Sequence, residues 1–153
     1  MLFVIARDNE CEELVEEKLV LRRDWFELLA KKSFGSKYVN AEWQFANHLG
    51  DCAGCDPELI YLFIKSEYDY TSRMALQTMA ELKPECAERY ALEFWNHGKY
   101  PAGSSEDEYQ KIMALHVLAK LNSPKLKAYL ERAMKLDYKW LRINAEELSA
   151  KYN

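Results

Sequence analysis

One nine-residue segment of the chain occurs twice, 39 residues apart, in nearly the same form. The copies occupy residues 74–82 and 113–121, and both follow the pattern M-A-L-x-x-M/L-A-x-L. From its second position onward, this pattern places apolar residues at i, i+1, i+4, i+5 and i+7, which is the spacing of a buried helical face. A helical unit that recurs in this way is typical of stacked repeats.

Three prolines give a second indication of helical units. Pro57, Pro84 and Pro124 each stand where a helix is expected to begin. Proline suits the first helical turn because its missing N–H has no intrahelical partner there. Asp56 and Ser123 directly precede two of these prolines and are suitable N-caps.

Residues 96–107 are rich in Gly, Pro and Ser, which predicts a loop inserted between two repeats. The sequence Ser105-Glu106-Asp107-Glu108 has the form of a capping box, with Ser105 as the N-cap of the next helix. The chain contains only five Gly and four Pro and few alternating β-branched runs. The sequence therefore predicts an all-α, right-handed α-solenoid of stacked antiparallel helix pairs, with about seven or eight helices.

A length of 153 residues, 49% of them apolar, is sufficient for one domain with its own core. We therefore expect a single helical-repeat domain over residues 1–153. Its expected parts are N-terminal helices over 8–34, repeats at about 36–66, 70–96 and 105–136, and a final helix over 139–152.

The apolar spacing within each expected helix also gives a candidate core. In the two matched helices, Leu76, Met79, Leu115 and Leu118 are expected to be buried at equivalent places in adjacent repeats. The other residues expected to face inward are Trp25, Leu28, Leu29, Val39, Trp43, Ala46, Leu59, Ile60, Phe63, Ile64, Cys86, Ala87, Tyr90, Ala91, Phe94, Leu126, Tyr129, Leu130, Ala133, Ile143, Ala145 and Leu148.

The net charge of −4 and the absence of a basic stripe in the sequence make a nucleic-acid partner unlikely. The strongest charge cluster is acidic, and two interpretations of it stay open: a solvated helix face, or a patch for a basic partner. Its members are Glu10, Glu12, Glu13, Glu16 and Glu17.

No apolar run is long enough for a transmembrane helix, and residues 1–6 lack the basic leader of a signal peptide. The four cysteines are too few and too scattered for a disulfide scaffold. We therefore expect a cytoplasmic protein in a reducing compartment.

Residues from about 37 to 152 resemble HEAT-like repeats, especially the short class typified by phycobilisome-lyase-type repeats. The resemblance is carried by residues 72–82 and their echo at 113–121, in which Arg73 precedes an apolar-Ala pair. Arg142 fits the same position more loosely, whereas Ile112 replaces the arginine in the second copy. The resemblance implies an α-solenoid whose second helices line a concave binding face. It implies no catalysis, since most such proteins bind other proteins, and a few bind modified DNA or act on bilins.

The sharpest local cluster is His48-x3-Cys52-x2-Cys55. Zinc needs four ligands, and a second Cys or His pair at suitable spacing is missing, so Cys11, Cys86 or His97 would have to complete a site. A metal site, a redox dithiol and a plain loop with small buried thiols all stay open. His116 is expected to be a surface or hydrogen-bonded residue. No catalytic or phosphate-binding motif occurs, and we expect neither an enzyme nor a cofactor.

The resulting functional hypothesis is a non-enzymatic protein-binding module, such as a bacterial immunity protein that neutralises a toxin. Its expected partner is another protein, and a basic protein is one option. Two alternatives stay open: a HEAT-like binder of nucleic-acid lesions or glycosylase, and a metal- or redox-responsive regulator that uses Cys52 and Cys55. The expected binding residues lie on the concave face and in the inserted loop, and are Tyr61, Lys65, Glu88, Arg89, His97, Tyr100 and Arg132.

Overall fold

The computed structural model describes residues 1–8 and 14–152, and within them every regular element is helical. The elements are α1 (Leu2–Arg7), α2 (Leu14–Leu19), α3 (Arg23–Ser33), α4 (Val39–His48), a 3-10 helix (Pro57–Leu59), α5 (Ile60–Phe63), α6 (Asp69–Leu82), α7 (Pro84–Asn96), α8 (Ser105–Lys120), α9 (Leu126–Ala133) and α10 (Lys139–Tyr152). The all-α prediction is confirmed for these residues, whereas the solenoid arrangement stays a prediction. Cys11 and the acidic residues Glu10, Glu12 and Glu13 lie outside the described part.

The chain divides into two compact units, Met1–Leu82 and Lys83–Asn153. We call them unit one and unit two and describe each by itself. The expectation of one continuous repeat domain stays a prediction.

In unit one, α4 lies at the centre and packs against α1, α3, α5 and α6. Its Phe45 is fully buried and meets the equally buried Phe26 of α3 edge to face, with 5.1 Å between ring centroids. Such pairs add to the free energy gained by burying the two rings. The expected inward residues of the segment after Pro57 are confirmed, since Leu59, Ile60, Phe63 and Ile64 are all buried.

A buried carboxylate ties the loops of unit one to α4. Glu42 is fully buried, and its Oε2 accepts a hydrogen bond from the amide of Gly35 at 2.9 Å. Its other oxygen accepts a hydrogen bond from the Ser66 hydroxyl. One side chain therefore holds the turn after α3 and the turn after α5 together, since a buried charge needs such partners.

The expected inward face of α3 is wrong in two of its three residues. Trp25 and Leu28 are 52% and 48% exposed, whereas Phe26, Leu29 and Ala30 are buried. The helix is therefore turned by about one position, because Phe26 fills the space beside Phe45. In α4, Val39 and Trp43 are only half-buried and Ala46 is buried as expected.

Unit two is built on α8, which packs against α7, α9 and α10. The expected core residues Ala87, Ala91, Leu126, Leu130, Ala133, Ala145 and Leu148 are buried there. Cys86, Tyr90, Phe94, Tyr129 and Ile143 were also expected inward, but they lie at the margin of the core and are half-buried. Trp95 and Leu141 are core residues that the apolar spacing missed.

The repeated segment is buried in both copies. Leu76 and Met79 in unit one and Leu115 and Leu118 in unit two are each fully buried. The prediction of their burial is confirmed. Their equivalence in adjacent repeats stays a prediction.

The expected helix starts are correct in part. Pro57 opens the 3-10 helix, and Asp56 caps it by accepting a hydrogen bond from the Glu58 amide at 3.0 Å. Pro84 lies in the first turn of α7 as expected. Pro124 precedes α9 rather than opening it, because the Ser123 hydroxyl instead accepts from the Lys125 amide in a turn.

One helix boundary and one helix differ from expectation. The N-cap of α8 is Ser104 and not Ser105, since the Ser104 hydroxyl accepts the Asp107 amide at 3.1 Å. α1 (Leu2–Arg7) is a helix that the sequence did not predict, and the expected helix start near residue 8 adjoins residues outside the described part, so it stays a prediction. In the part of the chain that the structure describes, no helix is both long and apolar enough to cross a membrane.

Candidate functional site

A groove runs along the outer face of α7 in unit two, with a volume of about 800 Å³. Residues at helical spacing on α7 form one side, and the turn between α8 and α9 forms the other. We call it the α7 groove, and its lining residues are Pro84, Glu85, Glu88, Arg89, Leu92, Glu93, Asn96, His97, Leu121 and Lys125.

Glu88 connects the two sides of the α7 groove. Its Oε1 accepts a hydrogen bond from Lys125 Nζ at 2.6 Å, and its Oε2 accepts one from the Ser123 hydroxyl at 2.8 Å. The Lys125 ammonium, followed by the Ser123 hydroxyl, lowers the pKa of the Glu88 carboxyl. The wall of the groove is therefore held in one arrangement before anything binds.

Further polar side chains continue the rim of the α7 groove. Arg89 pairs with Glu93 at 3.4 Å and lies over the Tyr90 ring at 4.6 Å from its centroid. Asn96 donates a hydrogen bond to the Tyr129 hydroxyl at 3.3 Å.

Tyr129 extends this rim toward α9. Its ring packs edge to face on Trp95, with 5.1 Å between centroids. On its other side, the guanidinium of Arg132 lies 4.9 Å from the ring centroid. Cations over aromatic faces contribute modestly at exposed sites and fix the side chain in place.

The inserted loop, which spans residues 97–104 between α7 and α8 and is shorter than the expected 96–107, borders a smaller cavity of about 140 Å³. His97 and Tyr100 line it, together with Phe94 and Gln110. His97 lines the α7 groove as well, and its Nδ1 lies 3.3 Å from the Glu93 carbonyl oxygen. His97 is therefore the loop residue that lines both cavities.

A network of buried hydrogen bonds holds the inserted loop in place. Asp107 is 4% exposed and accepts hydrogen bonds from the Lys111 ammonium and the Tyr138 hydroxyl. The Tyr138 oxygen in turn accepts from the Gly103 amide at 2.7 Å. Burial, and then the hydrogen bond to Asp107, raises the pKa of the Tyr138 hydroxyl. The loop is thus bonded to both α8 and the start of α10.

The structure brings some of the expected binding residues together. Glu88, Arg89 and His97 line the α7 groove, and Tyr100 shares the smaller cavity with His97. Arg132 joins them through Tyr129 and Asn96. Tyr61 and Lys65 belong to unit one, where Tyr61 is half-buried on α5 and Lys65 is exposed just after it. Their role in binding, like that of the others, stays a prediction.

Sequence reasoning missed most residues that line the α7 groove, among them Leu92, Asn96 and Lys125. Leu92 and Asn96 continue the helical spacing of Glu85, Glu88 and Arg89, so the period of α7 could have found them. Lys125 had no such signal, because it meets Glu88 from 37 positions away in the sequence.

The cysteine cluster of unit one is a disulfide, Cys52–Cys55. Of the three interpretations left open, the plain loop with small buried thiols is therefore wrong for this pair. His48 instead pairs with Asp51, with 2.8 Å between Nδ1 and Oδ2. His116 is exposed and hydrogen-bonded to Asn144 at 2.8 Å, as expected.

In residues 1–8 and 14–152, no group of three or more His, Cys, Asp or Glu side chains is arranged to hold a metal ion. The carboxylates Glu88 and Asp107 are each bonded to a lysine and a hydroxyl, an arrangement that fixes neighbouring elements.

Comparison of the chain with protein-family models, with curated proteins and with solved structures finds no match in any of the three. The similarity to HEAT-like repeats therefore stays an expectation from the residues that suggested it.

Proposed function

We propose that this chain is a non-enzymatic protein-binding module and that a partner protein docks in the α7 groove. The observation that carries the proposal is the preformed rim of the groove, in which Glu88 is held by Lys125 and Ser123. A rim already in place loses little conformational entropy on binding, and this favours affinity. An inhibitor that neutralises a toxin is one function of this kind.

The composition of the α7 groove supports a protein partner with basic groups. Leu92 and Leu121 supply apolar surface, and charged side chains surround them. Protein interfaces combine an apolar centre with a polar rim in the same way. Three carboxylates, Glu85, Glu88 and Glu93, outnumber the cations Arg89 and Lys125 on the lining. With the net charge of −4, this balance favours a basic surface on the partner and disfavours nucleic acid.

The first experiment is a pull-down from lysate, followed by quantitative binding to the protein recovered. In that assay Leu92→Asp and Glu85→Lys are expected to weaken binding at least about tenfold, because one places a charge on the apolar surface and the other puts a repulsive cation on the acidic rim. Glu146→Lys is the matched control, since Glu146 is exposed in unit two and does not line the groove.

An alanine scan of Tyr61, Glu88, Arg89 and Tyr100 then defines the extent of the interface. Losses at Glu88, Arg89 and Tyr100 alone would place the whole interface on unit two. If the scan, Leu92→Asp and Glu85→Lys all leave folding and affinity within about twofold of wild type, the proposal fails. Recovery of nucleic acid in place of protein would favour the lesion-binding alternative.

A further inference from the structure

The disulfide of unit one closes a very short loop. Cys52 and Cys55 are separated by three positions and lie between α4 and the 3-10 helix. A disulfide stabilises a fold mainly by restricting the unfolded chain, and this restriction grows with the length of the closed loop. A disulfide across two intervening residues therefore contributes little to the stability of the fold, so a role in stability does not account for it.

The two cysteines differ in their access to solvent. Cys52 is 4% exposed, whereas Cys55 is only partly buried. A disulfide is broken by a thiolate that attacks one sulfur and displaces the other, so access decides which sulfur is attacked. Here an incoming thiolate reaches Cys55, and Cys52 is the leaving group.

A cation lies beside the loop that joins the two cysteines. Gly54 has a φ of +76°, and the position that a Cβ would take on it is 3.9 Å from Nη1 of Arg23 on α3. A guanidinium near a cysteine favours the thiolate over the thiol. Arg23 therefore brings a positive charge next to Gly54, the residue that precedes Cys55.

The loop is also anchored independently of the disulfide. The amide of Asp56, which follows Cys55, donates a hydrogen bond to Glu27 Oε1 at 3.0 Å. Arg23 holds the same oxygen at 2.9 Å. Asp56 in addition caps the 3-10 helix through the Glu58 amide. These bonds can keep the loop on α3 when the disulfide opens.

We propose that Cys52–Cys55 is a thiol–disulfide exchange site whose substrate is a dithiol. A thiolate of the dithiol attacks the Cys55 sulfur, a mixed disulfide forms, and the Cys52–Cys55 bond breaks. Cys52 leaves as a thiolate and takes a proton from water. The second thiol of the substrate, once deprotonated, attacks the substrate's other sulfur, which is bonded to Cys55 in the mixed disulfide. Cys55 is released as a thiolate and takes a proton from water. Two electrons pass to the protein, and the substrate becomes a disulfide.

The first test treats the folded protein with dithiothreitol and then blocks the thiols with iodoacetamide. Mass spectrometry of the peptide with both cysteines is expected to show conversion from one disulfide to two alkylated thiols, with the helical circular dichroism unchanged. Reading the result by peptide keeps Cys11 and Cys86 out of the measurement. Two thiols before any reductant is added, or reduction only after unfolding, would overturn the proposal.

The second test separates the roles of the two sulfurs. Cys55 in the Cys52→Ser variant is expected to react with iodoacetamide about tenfold faster than Cys52 in the Cys55→Ser variant. Adding Arg23→Gln to Cys52→Ser is expected to slow the reaction of Cys55 at neutral pH, whereas Arg22→Gln, one residue away, leaves it unchanged. Equal rates for the two cysteines, or equal effects of the two arginines, would contradict the assigned roles.

Discussion

The hydroxyl of Tyr138 joins the inserted loop to a buried carboxylate: it donates to Asp107 and accepts the amide hydrogen of Gly103 at 2.7 Å. We expect Tyr138→Phe to lower the free energy of unfolding by about 1–3 kcal/mol, because Asp107 and the Gly103 amide both lose a partner. Chemical denaturation of the two proteins measures the difference. Tyr152→Phe is the control, since Tyr152 is 49% exposed, and it should change stability far less.

The same hydroxyl gives a prediction for alkaline pH. The pKa of Tyr138 is raised above 10.0 in the folded protein, so the protonated form is the one that the fold stabilises. Its contribution is fully present below about pH 10 and is lost as the pH rises through the folded pKa. The difference in unfolding free energy between wild type and Tyr138→Phe should therefore shrink above pH 10. A difference that stays constant would contradict the assignment.

The contribution of Glu88 to the free energy of unfolding has the opposite dependence on pH. Its pKa is lowered below 4.5 by Lys125 and Ser123, so its contribution is present above pH 4.5 and is lost as the pH falls through the folded pKa. We expect Glu88→Gln to cost about 0.5–1 kcal/mol at neutral pH, as for a partly exposed ion pair. The cost should disappear in acid. Glu131→Gln, an exposed change on α9, should show neither effect.

Glu42 is expected to control the turn after α3. Glu42→Ala removes the acceptor of the Gly35 amide and should cost about 1–3 kcal/mol of unfolding free energy. Hydrogen exchange of the Gly35 amide, followed by NMR, should accelerate more than that of the α6 amides. Glu17→Ala, at an exposed position of α2, is the control. An unchanged exchange rate at Gly35 would show that the hydrogen bond does not protect it.

The repeated segment makes a direct prediction about packing. Leu76→Ala, Met79→Ala, Leu115→Ala and Leu118→Ala should each cost about 2–5 kcal/mol, because every one of these side chains is fully buried and truncation leaves a cavity. Gln77→Ala, at an exposed position of α6, should be nearly neutral in the same denaturant melts. A loss below about 0.5 kcal/mol at any of the four would contradict the packing.

The all-helical class could be predicted from the sequence, but the face of α3 that is buried could not. Its segment Trp25-Phe26-Glu27-Leu28-Leu29-Ala30 carries two overlapping apolar faces of helical period. One face contains Trp25 and Leu28, and the other contains Phe26 and Ala30. Only the contact between Phe26 and Phe45 selects the second, and the sequence places those residues far apart.

The candidate site was predictable to a similar degree. Glu88 and Arg89 follow from the period of α7, and His97 and Tyr100 from the composition of the inserted loop. The buried carboxylates Glu42 and Asp107 had no such signal, because a charged residue in an amphipathic helix is expected in solvent. The sequence did not indicate the disulfide either, since a C-x-x-C spacing fits a metal site, a dithiol and a disulfide alike.

Because Trp25 on α3 is exposed, its fluorescence reports binding to this helix. Trp25 is left in water with half of its surface exposed, whereas Trp95 of α7 is 5% exposed. The fluorescence of an indole shifts to shorter wavelengths when water is removed from it. Any molecule that covers the outer face of α3 should therefore produce a blue shift from Trp25, and Trp25→Phe should abolish that shift while the signals of Trp43, Trp95 and Trp140 remain.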